Sequence, residues 1–287
     1  MAMRLSGKEV NGRIIQRIQE KMNGLHGQYI KPKLAIIRVG EREEDACYER
    51  NIMRKCEKLH IGYELFYFSQ SVTEKEIIDI IKQINRDESI HGVLLFRPLP
   101  KHLNEEKIVK TLGIEKDIDG ITDGSLAAVF MGKGQGFPPC TAQSCMEVLE
   151  YYEIDCTGKN VVVVGRSSVV GKPVAMMLLN RNATVTICHT KTKDISKVIK
   201  AADIVISAVG KAGSIDGSCL REGQIILDVG INLNENGVIT GDVDYKSAEK
   251  IVDAITPVPG GIGSVTTSVL MEHVVDAMIK KSQEKRK

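Results

Sequence analysis

The stretch Val161-Val162-Val163-Val164-Gly165-Arg166-Ser167-Ser168-Val169-Val170-Gly171-Lys172-Pro173 decides the fold. Four consecutive valines read as a strand buried on both faces, the habit of parallel sheets. Gly165 turns the chain, and Gly171-Lys172-Pro173 opens a helix. The two glycines are spaced Gly-x5-Gly, so this is not the Gly-x-Gly-x-x-Gly dinucleotide fingerprint. The physical attraction for a nucleotide is the same, because a helix N-terminus facing the strand's C-terminal edge offers N–H groups and a positive dipole end to a diphosphate. A plain βα turn is the alternative that the pattern alone leaves open.

Working outward, the helix from about 170 to 179 is followed by β-branched runs at 184–188, 204–209 and 225–229, a Rossmann-like alternation. Upstream, Ser6 to Glu9 and Thr73 to Glu76 are capping boxes, each followed by isoleucines at helical spacing. Strands are expected at 34–39, 63–68 and 92–96, with a helix over about 45–59. Pro98-Leu99-Pro100 stops the third strand in an extended loop. Residues 120–139, rich in glycine and proline, read as a connection, and a helix starting at Thr141 marks the change of domain. The chain is therefore expected to be α/β with two domains. Its last helix carries Val269, Leu270, His273, Val274, Ala277 and Met278, and the tail 280–287 is a solvated charged end.

Composition narrows the class. The 287 residues suit two domains with a cleft between them. A net charge of +2 provides no general field for nucleic acid or an anionic membrane. There is no bilayer-length apolar run and no signal-like N-terminus, so a cytosolic protein is expected. The seven cysteines are scattered without a zinc spacing, and they are expected to be reduced thiols with no metal site.

An NAD site places Asp or Glu about 20 residues past the first glycine to hold the ribose hydroxyls. From Gly165 to Lys193 there is no acidic residue; Arg166, His189, Thr190, Lys191, Thr192 and Lys193 supply donors and positive charge instead. That suits a 2′-phosphate and favours NADP.

The segment quoted first, together with KDIDG (116–120), PPCT (138–141), ADIVISAVGKAG (202–213), LDVGIN (227–232), GDVD (241–244) and TPVPGGIGSVTTSVL (256–270), resembles the methylenetetrahydrofolate dehydrogenase/cyclohydrolase family. The motifs occur in family order over nearly the whole chain. The resemblance implies a catalytic, folate-binding domain of residues 1–140 plus 266–287, a Rossmann-type NADP domain of residues 141–265, a folate site in the cleft, and a homodimer. It implies oxidation of 5,10-methylenetetrahydrofolate by NADP⁺ in one-carbon metabolism, then hydrolysis of the methenyl product to 10-formyltetrahydrofolate. The cofactor residues it implies are Gly165, Arg166, Ser167, Val170, Gly171, His189, Thr190, Val209, Gly210 and Ile231. Tyr48, Asp119, Pro257, Gly260 and Gly261 are the implied substrate residues.

Five positions depart from the family pattern. The lysine expected four residues after Tyr48 is Ile52, and the glutamine of the V-Q-L-P-L-P run is Phe96. A serine in the preceding loop is Asp45, and a Pro-Met pair is Ser264-Val265. Hydride loss from the methylene carbon is driven by the flanking folate nitrogens and needs alignment above all. Hydrolysis of the cation needs directed water and proton transfers, which a tuned lysine beside an amide supports. Ile52 and Phe96 can do neither, so a dehydrogenase with weak or absent cyclohydrolase activity is expected. The alternatives are a bifunctional enzyme that uses another lysine such as Lys55, a non-catalytic NADP-binding paralogue, and, on fold alone, a shikimate-type dehydrogenase. Lys55, seven residues after Tyr48, is otherwise expected to be a surface lysine beside Arg54.

Overall fold

The computed structural model describes residues 1–24, 31–233 and 237–284. In chain order its elements are β1 (Met3–Arg4), α1 (Gly7–Asn23), β2 (Lys33–Val39), α2 (Glu43–Lys58), β3 (Gly62–Phe68), α3 (Glu74–Arg86), β4 (Gly92–Leu95), α4 (Glu105–Val109), α5 (Asp123–Met131), α6 (Cys140–Tyr151), β5 (Asn160–Val164), α7 (Gly171–Leu179), β6 (Thr184–Cys188), α8 (Ile195–Lys200), β7 (Ile204–Ser207), β8 (Ile225–Asp228), β9 (Asn232–Leu233), β10 (Ile239–Thr240), α9 (Tyr245–Ala248), β11 (Ala254–Ile255) and α10 (Ile262–Glu284). The backbone falls into two compact units, one of Met1–Arg13 with Pro139–Thr266, the other of Ile14–Pro138 with Thr267–Lys287.

The first unit holds a six-stranded sheet in the order β1-β11-β8-β7-β5-β6, with every pairing parallel. Val162, Val164, Cys188, Val205, Ile226 and Ile255 are buried together, which is why these strands read as unbroken apolar runs. β5 lies between β6 and β7, so the strand order reverses there and the carboxyl ends of β5 and β7 flank the switch point. The N-terminal residues, placed by the sequence with residues 1–140, are held to this sheet instead. Met3 pairs with Ala254, Arg4 pairs with Ile255, and the Leu5 N–H donates to the Ile255 carbonyl at 2.9 Å. A two-residue strand at a sheet edge carries no periodicity, so nothing local announces it.

The second unit holds a three-stranded parallel sheet in the order β3-β2-β4. Ala35, Ile37 and Val39 of β2 pack with Ile77, Ile81 and Ile84 of α3 in one buried cluster. The Thr73 box forms as expected: the Glu76 N–H donates to Thr73 Oγ1 at 3.3 Å, and the Thr73 N–H donates to Glu76 Oε2 at 2.8 Å. The stretch 120–139 is not all connection, since α5 occupies part of it. Thr122 caps that helix by accepting from the Ser125 N–H. α10 is long and apolar enough to cross a membrane, but 67% of its most apolar window is buried in the protein. Residues 285–287 of the charged tail lie outside the described residues.

Candidate functional site

At the carboxyl end of β5, Gly165 has φ +130°, and a Cβ there would sit 2.3 Å from the Ala208 carbonyl oxygen beyond β7. Only glycine lets the two strand ends approach this closely. A Cβ on Gly171 would in turn meet the Gly165 oxygen at 2.2 Å. Ser167 folds the turn, because its Oγ accepts from the N–H groups of Val170 at 3.1 Å and Gly171 at 3.4 Å, and its carbonyl accepts from the Lys172 N–H at 3.0 Å. Those first-turn N–H groups, expected to face a diphosphate, are therefore committed within the protein. What remains for an anion is the dipole of α7 and the exposed Arg166-Ser167-Ser168 segment.

After β6, the His189 N–H donates to Thr192 Oγ1 at 2.9 Å, and His189 Nδ1 accepts from the Lys191 N–H at 3.2 Å. This self-bonded turn carries exposed Thr190, Lys191 and Lys193 and no carboxylate. The donor set fits a phosphorylated nucleotide. After β7, Val209 and Gly210 are exposed, as is Ile231 beyond β8.

Beneath the β7 loop lies a feature the sequence did not single out. Asp242, fully buried, accepts from Ser207 Oγ at 3.2 Å, from the N–H groups of Val209 at 2.6 Å, Gly210 at 3.2 Å and Lys211 at 2.9 Å, and from Asn232 Nδ2 at 3.0 Å. Asp228 accepts from the N–H groups of Gly230 at 2.9 Å, Asp242 at 3.0 Å and Val243 at 2.9 Å. Burial pushes the Asp228 carboxyl up to about 6. GDVD was legible as a motif, but the role of its first aspartate depends on a loop more than thirty residues earlier in the chain.

In the same unit, Gly260 has φ +100° and its carbonyl accepts from the Gly7 N–H at 2.8 Å. A Cβ on Gly261 would meet the Pro257 oxygen at 2.5 Å, and Ser264 Oγ donates to the Gly261 oxygen at 2.7 Å. The loop from Pro257 to Gly261 is thus tightly wound on itself and admits no side chain at its tip.

In the second unit, Tyr48 is 37% exposed on α2, and its ring meets Phe96 edge-on at 5.8 Å between centroids. α2 is held beside this pair by Glu49, which accepts from Tyr67 Oη at 2.7 Å and pairs with Arg38 at 3.1 Å. Ile52 is fully buried and Phe96 is 7% exposed, so both side chains are apolar and closed to solvent. Asp45 lies in the first turn of α2, paired with Arg42 at 2.7 Å.

Lys55 is not the surface lysine expected from the sequence. Its Nζ donates to Thr267 Oγ1 at 2.9 Å and Ser268 Oγ at 2.6 Å on α10. Burial, with a smaller push from Lys58, brings the ammonium down to about 8.

The two aspartates of the 116–120 motif divide their work. Asp117 is fully buried and accepts from the N–H groups of Ile121 at 2.9 Å and Thr122 at 2.8 Å and from Thr122 Oγ1 at 2.6 Å. Buried His273 of α10 donates from Nδ1 to the Ile118 carbonyl at 2.8 Å. Asp119 is half-buried. Among the described residues no group of His, Cys, Asp and Glu is arranged to hold a metal, and the cysteines are free thiols.

Residues 5–119 match the catalytic domain of the tetrahydrofolate dehydrogenase/cyclohydrolase family, and residues 139–282 match its NAD(P)-binding domain. This chain belongs to that family. It is 45% identical over 278 residues to the bifunctional protein FolD of Clostridium botulinum, covering 97% of this chain and 99% of the relative. The solved bifunctional enzyme of Campylobacter jejuni is similar at TM-score 0.95 and 37% identity, over 98% of this chain and 99% of that one. The Trypanosoma brucei dehydrogenase-cyclohydrolase, solved with NADP and an inhibitor, superposes at TM-score 0.91 with 30% identity and 98% coverage of each chain. Family membership sets aside the shikimate-type alternative. The domain with Gly165 and Asp242 binds NAD(P).

Proposed function

We propose that this protein oxidises 5,10-methylenetetrahydrofolate to 5,10-methenyltetrahydrofolate with NADP⁺, and that it hydrolyses the methenyl product slowly. The observation that carries the second half is the closed apolar pair at the family's polar positions, Ile52 at 0% and Phe96 at 7% exposure. NADP⁺, when bound, supplies the hydride acceptor. Arg166 and the basic 189–193 turn, free of carboxylates, hold the 2′-phosphate. Asp119 accepts paired hydrogen bonds from the pterin's ring N–H and exocyclic amine. Tyr48, kept in place by Phe96, stacks on the ring. Beside the cation that hydride loss leaves, Ile52 and Phe96 exclude water and donate no proton. Homodimer formation and a cytosolic location belong to the same proposal, as does the division into a folate domain and an NADP domain, the first strand lying with the NADP sheet.

One observation favours a second reading. Lys55, on the helix of Tyr48 and lowered to about 8, has the acid–base character that hydrolysis requires. The relatives of Clostridium botulinum and Campylobacter jejuni are bifunctional, and Lys55 is the group through which this chain would be so. Its ammonium is fastened to Thr267 and Ser268.

The test is to give the purified protein methylenetetrahydrofolate and NADP⁺ and follow NADPH and the methenyl cation together. Accumulation of the cation in step with NADPH supports slow hydrolysis. Its immediate consumption, lost in Lys55→Met, supports the bifunctional reading. No NADPH at all points to a binding paralogue.

A further inference from the structure

We infer that Asp242 is a positioning residue of the dinucleotide site, which turns the loop after β7 so that it offers hydrogen-bond acceptors, not donors, to the cofactor. The inference rests on the assignment of the Gly165 turn to NADP. Three successive N–H groups converging on one point form a nest, a geometry that ordinarily captures an external anion. Here the anion is the protein's own carboxylate. Oδ2 receives Ser207 Oγ and the N–H groups of Val209 and Gly210, while Oδ1 receives the Lys211 N–H and Asn232 Nδ2. Five donors saturate a group with about four lone-pair sites.

The consequence follows from peptide planarity. In a trans peptide the N–H and the preceding carbonyl point in opposite directions. With the N–H groups of Val209, Gly210 and Lys211 turned in to Asp242, the carbonyls of Ala208, Val209 and Gly210 turn away from it. Among the described residues these carbonyls accept no backbone bond. The Ala208 carbonyl lies against Gly165, where a Cβ would meet it at 2.3 Å, and those of Val209 and Gly210 follow it at the carboxyl end of β7, beside the switch point. A loop so arranged suits ribose hydroxyls or a carboxamide and repels phosphate. The diphosphate is left to Ser167, Ser168 and the dipole of α7. Space around the carboxylate is exact: a Cβ on Gly230 would lie 2.2 Å from Asp242 Oδ1.

Asp242→Asn keeps the shape but places an amide N–H₂ against the loop's donors. The full-length protein and the variant are titrated with NADP⁺ by calorimetry, with thermal melts alongside. The expected result is affinity weakened roughly 10- to 100-fold, the range for losing charge-assisted hydrogen bonds, in a variant that still melts cooperatively. A carboxylate with a merely structural role would lower the melting temperature and leave the affinity of the folded protein unchanged, and that outcome overturns the inference. If Asp242→Asn does not fold, Ser207→Ala with Asn232→Ala removes two of the five donors and frees the loop partially. Unchanged NADP⁺ affinity in that double variant also overturns the inference. Failure of the unmodified protein to bind NADP⁺ overturns the cofactor assignment itself, a result distinct from the other two.

Discussion

Lys55 Nζ on α2 donates to Ser268 Oγ on α10 at 2.6 Å, so an ammonium in the last turn of one helix is tied to the second turn of another. Helical side chains lean toward the N-terminus, which carries this ammonium up to about the level of Ile52. A lysine at position 52 would reach up to Tyr48. An ammonium at position 52 would thus sit about one turn, roughly 5 Å, from that of Lys55.

Lys55→Met therefore separates the two readings of hydrolysis. With Lys55 as the acid–base group, wild-type hydrolysis changes with a transition near pH 8, and the variant loses both the transition and on the order of 10² in rate. With hydrolysis already slow, the variant matches the wild type. Stability gives an independent check. The folded ammonium titrates below its ordinary 10.5, so between about pH 8 and 10.5 the unfolded chain binds more protons and stability rises with pH from this group. Denaturant midpoints should show that rise in the wild type and not in the variant.

On the slow-hydrolysis reading, a polar pair at positions 52 and 96 should speed the second step. Ile52→Lys with Phe96→Gln is expected to raise methenyl hydrolysis by roughly 10² or more and to leave NADPH formation within a few-fold. Melting should occur earlier, since Ile52 is fully buried and an ammonium there costs desolvation. Hydrolysis that stays at the uncatalysed rate would show that these two positions are not what limits it.

Gly165→Ala forces a Cβ to within 2.3 Å of the Ala208 carbonyl at φ +130°. A loss of about 1–3 kcal/mol is expected from the strained backbone, together with weakened NADP⁺ binding as the ends of β5 and β7 separate. Thermal melts and a titration measure the two effects.

Asp119→Asn and Asp117→Asn should fail differently. The first is expected to raise KM for the folate while NADP⁺ affinity and melting stay as they were. The second leaves buried donors of Ile121 and Thr122 imperfectly paired, at about 1–3 kcal/mol. Equal stability losses in both would remove the folate-binding role proposed for Asp119.

Arg166→Ala should narrow the preference for NADP⁺ over NAD⁺, with the loss confined to the phosphorylated cofactor. A proportionate loss for both cofactors would place Arg166 at the diphosphate instead.

Much of this was legible along the chain because it is local. The valines before Gly165, the Thr73 box and the isoleucines of α3 are patterns within a turn or a pleat, and each formed where its spacing placed it. α5 is not legible in the sequence because the small and apolar residues after Asp123 show no helical stripe, and its start depends on Thr122 and buried Asp117. Lys55 was misjudged for a related reason. Beside Arg54 it reads as solvated, and only the approach of Thr267 and Ser268, more than two hundred residues away, buries it.

Sequence alone determined the α/β class, the parallel strands of the nucleotide unit and the apolar character of Ile52 and Phe96, since residue identity and periodicity suffice for each. Tertiary structure alone decided which donors Asp242 gathers, which aspartate of the 116–120 motif is spent on the backbone, and where the Lys55 ammonium rests. Those depend on groups brought together by folding, and the electrostatic character of a buried charge is set by its neighbours in space.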